Sequence, residues 1–177
     1  MHKVLEKIFD WLYPLLRKIG LGDTLASYIS LLFDIVLLCF IAYFIYVVFR
    51  LTLVTIMAIV AKKTKTNFDD LLVSNQTAKY IAHLIPFLFI YKSVPIILED
   101  YVYWESIFGK MVGIYIIILS LWIIRSVLKA FRDYLKDQPR FSDKPIDSYV
   151  QVIMIVLWIF GIGVIISKIF DITTNAL

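Results

Sequence analysis

The sequence predicts an all-α integral membrane protein, with four transmembrane helices in two hairpins and an N-terminal amphipathic interfacial helix before them. Three observations carry that expectation. Hydrophobic residues make up 61% of the chain and charged residues only 18%, with a mean hydropathy of +0.85, outside the range of water-soluble domains. Four stretches stay apolar for about 20 residues, the length that crosses a hydrocarbon core about 30 Å thick. Those stretches are continuously apolar, without the alternation that barrel strands require.

Residues 1–26 form the interfacial segment and residues 27–177 the four-helix region. In "KVLEKIFDWLYPLLRKIG", Val4, Ile8, Leu12, Leu15 and Ile19 recur at helical spacing, while Lys3, Glu6, Lys7, Asp10 and Arg17 fall between them. Such a helix lies in the headgroup layer, with Trp11 and Tyr13 at that depth. A cleaved signal peptide fits poorly, because charges interrupt the apolar run and no small-residue cleavage site follows.

The helices are expected at about 28–61, 67–98, 108–135 and 147–170. The first is centred on Ile35–Phe49, between Asp34 and Arg50, yet its apolar sequence continues past Arg50 to Ala61. A helix of about 34 residues is about 50 Å long, too long to cross without steep tilt. The span is therefore expected to end near Arg50, whose guanidinium reaches the inner headgroups, with helix running on at the cytoplasmic surface. The alternative, a deep and paired Arg50, is costly. The fourth span is the cleanest, with no charge from Ser148 until Lys168.

Lysine and arginine bias sets the sides. Lys62, Lys63 and Lys65 lie in the loop over 61–76; Arg132, Lys136, Arg140 and Lys144 lie in the loop over 131–147, with Arg125 and Lys129 just inside it. Both loops are assigned to the cytoplasm. The 98–108 connection, within "EDYVYWESIFGK", carries Glu99, Asp100 and Glu105 and suits the outer face, as do both termini. The net charge of +4 and pI near 9.1 fit basic side chains meeting anionic headgroups, so the partners expected are membrane lipids and not nucleic acid.

The loop "AKKTKTNFDDLLVSN" (61–75) reads as a basic interfacial stretch followed by a helix start. Asn67 can cap the helix, and Asp69 and Asp70 place negative charge in its first turn, where unpaired amides and the dipole favour it. Phe68, Leu71 and Leu72 supply its apolar face. In "DQPRFSDKPIDSY" (137–149), Pro139 and Pro145 stop the third helix and set the entry to the fourth. Asp147 or Ser148 is placed to cap that fourth helix, and Tyr149 sits at interface depth; Lys144 and Gln151 flank the turn.

Three of these stretches together resemble a known family. "KKTKTNFDDLLV" at 62–73, "AHLIPFLFIY" at 82–91 and "DKPIDSYVQV" at 143–152 look like the membrane region of small-conductance mechanosensitive (MscS) channels, in particular the YbdG-like branch with extra N-terminal helices. The resemblance covers about residues 25–172, the front portion of such a channel. It implies that a glycine- and alanine-patterned pore helix and a β-rich cytoplasmic domain would follow "DITTNAL", and that this stretch does not conduct by itself. It further implies peripheral, tension-sensing helices around a central pore in a homoheptamer of the bacterial inner membrane, serving osmotic protection. A self-contained four-helix accessory or scaffold protein is the alternative.

The remaining features favour structural roles. His83 lies about one turn beyond Lys79, as an interfacial or packing histidine would, although an intramembrane ionisable group is a functional candidate. Pro86 removes a helical hydrogen bond and is expected to kink the second span. Gly109 and Gly113 have small-xxx-small spacing, and Gly161 and Gly163 thin the fourth helix, both consistent with close helix packing. Cys39, the single cysteine, lies in an apolar run and is expected to pack. "NQT" at 75–77 matches a glycosylation acceptor by chance. No phosphate loop, ligand cluster or nucleophile with a base points to catalysis, so neither an enzyme nor a cofactor is expected.

Overall fold

The structure, a computed structural model, describes residues 8–9, 11–63, 76–141 and 144–170. All regular structure in these residues is helical: α1 (Leu12–Lys18), α2 (Asp23–Lys63), α3 (Thr77–Ile97), α4 (Val102–Lys136), a 3-10 turn (Pro139–Phe141) and α5 (Ile146–Ile169). Helices α2 to α5 are each long and apolar enough to cross a bilayer. This is an all-α, four-helix, multi-pass membrane protein.

Many large apolar side chains stand on the outside, unlike those of a soluble domain. Ala26, Ala42, Ala78, Ala82 and Ala130 are buried, together with Ser30, Thr77, Ser93 and Ser126, whereas Phe40, Leu51, Phe160 and Ile159 are each more than 60% exposed. Lipid tails are as apolar as leucine, so burying a leucine gains only packing, and small residues share the interior with Leu38, Ile96, Leu119 and Leu121 because they let backbones approach. Hydroxyls within the apolar helices donate to the carbonyl one turn back, as Thr52 to Val48 (2.8 Å), Thr55 to Leu51 (2.7 Å) and Ser120 to Ile116 (2.8 Å) do. No donor is then left facing hydrocarbon at these sites.

The chain divides into two compact units, residues 1–45 with 86–113 and residues 46–85 with 114–177. In the first, Phe9, Leu38 and Ile96 form a buried cluster flanked by Leu37, Phe89, Ile90 and Ile97, and Trp11 meets Phe33 edge-on at 5.7 Å. Phe9, 1% exposed, anchors the N-terminal segment, while Leu15 and Ile19 of the expected apolar face are exposed. In the second unit, α3 meets α4 through a buried hydrogen bond between Thr77 and Ser126 (2.7 Å) and the tilted ring pair Tyr80–Trp122. There α5 approaches α4 where Gly161 lies against Leu121; a Cβ at this glycine would fall 2.9 Å from Leu121 Cδ2 and 3.2 Å from Cγ. Gly109 and Gly163 have open space at the same position.

Several boundaries differ from the expected ones. The first span starts at Asp23, not near 28, because Gly20, with φ of 94°, turns the chain after α1, and Arg17 pairs with Asp23 at 2.7 Å. The second begins at Thr77 after Gln76, which adopts φ of 60°, so a helix running unbroken from 67 to 98 is excluded. The connection assigned to 98–108 is only four residues long: α4 starts at Val102, so Tyr103, Trp104 and Glu105 belong to its first turn. Helix α2 runs through Arg50 without interruption. At about 1.5 Å per residue its 41 residues extend about 62 Å, beyond the roughly 40–45 Å of a bilayer with its headgroups. Helix α3 likewise remains helical across Pro86 and Pro95.

Candidate functional site

The residues singled out for membrane contact fall mainly in the second unit. Twelve of the 18 lysines and arginines and seven of the 14 acids lie there, a formal charge of +5; the first unit holds the other six and seven, a formal charge of −1. Arg125, Lys129, Arg132 and Lys136 recur every three or four residues along α4. At 3.6 residues per turn they share one face, a basic stripe about 16 Å long leading to the end of the helix. Arg125 is exposed and Lys129 half-buried.

The far end of the stripe is tied to α5. Lys136 Nζ lies 2.6 Å from Asp147 Oδ2, and Arg132 Nε lies 3.8 Å from Asp147 Oδ1. Arg132 also donates twice to Asp133 Oδ1, at 2.7 and 2.9 Å. Asp147 was expected to be a candidate cap for the fourth helix, but Pro145 occupies the cap position and no side chain caps that end. The carboxylate instead joins consecutive helices, and the same first-turn placement still favours it electrostatically. Lys144 is exposed with Nζ 5.0 Å from the centre of the Phe141 ring, and Pro145, Tyr149 and Gln151 are exposed beside it.

A second group joins α2 to α3. Arg50 donates to the Tyr46 hydroxyl at 3.4 Å, and its guanidinium lies 5.9 Å from the Tyr46 ring centre. Tyr46 packs on His83 at 4.5 Å between ring centres. His83 Nδ1 lies 2.7 Å from the Lys79 carbonyl; a carbonyl only accepts, so Nδ1 carries the proton. Arg50 is exposed, and His83, one turn from Lys79, packs against Tyr46. The sequence offered no signal for Tyr46 beyond its i, i+4 spacing to Arg50.

Lys62 and Lys63 close α2, with their side chains outside the described residues, and Lys65, Asn67, Asp69 and Asp70 also lie outside them. Pro86 is buried within α3. Cys39, expected to pack, is exposed. Asp34, which the sequence suggested as the edge of the first span, lies eleven residues into α2 and is 7% exposed. Among the described residues no group of three histidine, cysteine or acidic side chains could hold a metal ion.

No family model, no curated protein and no solved structure matches the chain.

Proposed function

We propose that this chain is the lipid-facing, tension-sensing transmembrane region of a small-conductance mechanosensitive channel in a bacterial inner membrane, acting in osmotic protection and not conducting without a pore helix. The observation that carries the reading is the state of α5. Of its 24 residues only Ile146, Val150 and Gly161 are buried, while Phe160, Ile159 and Val152 stand 71%, 64% and 59% exposed. A helix with so little contact to its own fold is solvated by lipid or by neighbouring helices, and its position answers to their packing. Tension favours the state of larger in-plane area, and a helix held by few internal contacts can differ between such states at low cost. The three sequence stretches that resemble the channel family supply the identity of the process.

The sides follow from charge. The second unit, with its formal +5, contains the loops over 61–76 and 131–147, which face the cytoplasm in this reading; the 98–101 connection and the termini face outward. The basic stripe on α4, Arg50, and Lys62, Lys63 and Lys65 engage anionic headgroups, and copies of the chain assemble around the pore as a homo-oligomer, a heptamer by the family resemblance.

The reading is tested by spin labels at Val127→Cys on α4 and Val156→Cys on α5, both exposed sites in the second unit, after Cys39→Ser. Lysolipid added to one leaflet of a reconstituted vesicle mimics tension. A shifted distance distribution supports sensing; an unchanged distribution in an inserted, helical protein rejects it. The exposed face of α5 also suits the alternative of an accessory or scaffold subunit, which predicts a stoichiometric membrane partner and no response to lysolipid.

A further inference from the structure

Helices α2 and α3 bring four polar side chains together within the second unit. Tyr46 and Arg50 stand four apart on one face of α2, and Lys79 and His83 stand four apart on one face of α3. The Tyr46–His83 ring contact, at 4.5 Å between centres, turns these two faces toward each other. Consecutive spans run in opposite directions, so Arg50, one turn past Tyr46, and Lys79, one turn before His83, lie on the same side of the ring pair. Both cations are exposed, and neither makes an ion pair among the described residues. From Tyr46 to Lys63 of α2, and throughout α3, there is no aspartate or glutamate. Counter-charge for Arg50 and Lys79 therefore comes from outside these segments, and ionisable groups within candidate spans mark a functional site by default.

The donors narrow the anion. Arg50 gives one N–H to the Tyr46 hydroxyl at 3.4 Å, and its guanidinium lies 5.9 Å from that ring centre. Its other N–H groups are left to match two oxygens of one phosphate, and the Tyr46 O–H remains to donate to a third. Two positive charges match a phosphate monoester, which carries about −1.5 to −2 near neutral pH, and exceed the single charge of a diester. His83 adds a second discriminator. Its Nδ1 gives a proton to the Lys79 carbonyl at 2.7 Å, so Nε2 presents a lone pair. That lone pair suits the P–O–H of a singly protonated monoester, a donor that a diester lacks.

We propose that Arg50, Lys79, the Tyr46 hydroxyl and His83 Nε2 form a binding site for a phosphate monoester at the α2–α3 seam. Two sources share this chemistry, the headgroup of phosphatidic acid and a small soluble phosphate ester. The site deepens the headgroup contact proposed above for Arg50, on which it rests, and needs no pore, no oligomer and no tension.

The test uses the full chain in phosphatidylcholine nanodiscs that contain equal mole fractions of phosphatidic acid and phosphatidylglycerol, with retained lipid read by native mass spectrometry. Phosphatidic acid is expected to be retained about tenfold over phosphatidylglycerol, and Arg50→Gln or Lys79→Gln to remove most of that preference. Lys129→Gln on α4 removes the same charge away from the seam, so it should lower retention of both lipids alike and leave their ratio in place. Calorimetric titration with glycerol 3-phosphate in pure phosphatidylcholine nanodiscs separates the sources. Saturable binding that is lost in Arg50→Gln identifies a soluble monoester; preference for phosphatidic acid without such binding identifies the lipid. Equal retention of the two lipids together with no binding of glycerol 3-phosphate overturns the proposal, as does a preference unchanged in Arg50→Gln or lost equally in Lys129→Gln. If Arg50→Gln does not insert, Tyr46→Phe decides, since it keeps the ring on His83 and removes only the hydroxyl; an unchanged preference and affinity there overturn the proposal. No tension is applied, so failure of this site and failure of the spin-label response to lysolipid are separate outcomes.

Discussion

A methyl group added at Gly161 and one added at Gly163 differ only in what they meet. Both substitutions to alanine gain the same helix propensity, about 1 kcal/mol. At Gly163 the added Cβ enters open space, so that gain is the whole effect. At Gly161 it collides with the side chain of Leu121, itself only 6% exposed and therefore unable to turn aside without moving its own neighbours. Overpacking of this kind costs about 1–3 kcal/mol, which leaves Gly161→Ala between neutral and about 2 kcal/mol destabilising. Subtracting one variant from the other cancels propensity and isolates a steric term of about 1–3 kcal/mol. Steric trapping in bicelles measures both. Adding Leu121→Ala removes the colliding methyls and should make Gly161→Ala neutral or stabilising in that background. If Gly163→Ala costs as much as Gly161→Ala, or Leu121→Ala gives no relief, the close approach of α5 to α4 at this residue is wrong.

Further outcomes follow from the same contacts. Thr77→Val and Ser126→Ala should couple by about 0.6–1.7 kcal/mol in a double-mutant cycle, the range for interhelical hydrogen bonds in bilayers, and strict additivity would refute the pairing. Asp147→Asn removes an ion pair whose partners are 47% and 61% exposed, so solvent screening limits its loss to about 1 kcal/mol; a loss several times larger in urea unfolding would contradict this. Replacing Lys62, Lys63 and Lys65 by alanine should weaken preference for anionic lipid by about 1 kcal/mol per charge, read by native mass spectrometry of bound phosphatidylglycerol, and an unchanged preference would remove those lysines from the lipid contact.

The class and number of the spans were legible because about 20 apolar residues have few other uses. The span edges were less legible, for reasons specific to each. Asp34 looked like a terminus since a charge normally ends a hydrophobic run, and only the tertiary arrangement shows it buried beside Ser30. Asp147 satisfied every local requirement of a first-turn acid, yet two basic residues on the preceding helix compete for it, and a local rule cannot count them. Tyr103, Trp104 and Glu105 suit a loop by polarity, yet aromatic and acidic residues equally suit the first turn of a helix, where the structure places them. Phe9 lies off the Ile8–Leu12–Leu15 face; the spacing of Phe9, Leu12 and Leu16 marks the neighbouring face, which is the one that is more buried. The pairing of Arg50, Tyr46 and His83 joins two helices, and nothing in one sequence announces it.

The most direct test of a tension-sensing role is patch recording. The protein, expressed from its native reading frame in bacterial spheroplasts that lack other mechanosensitive channels, is placed under stepped suction. Discrete openings whose probability rises with suction, and whose threshold shifts when Gly161 is replaced by alanine, are the result expected of a chain whose α5 reports bilayer tension. Patches that carry the protein at the membrane and stay silent up to the lytic tension would contradict it.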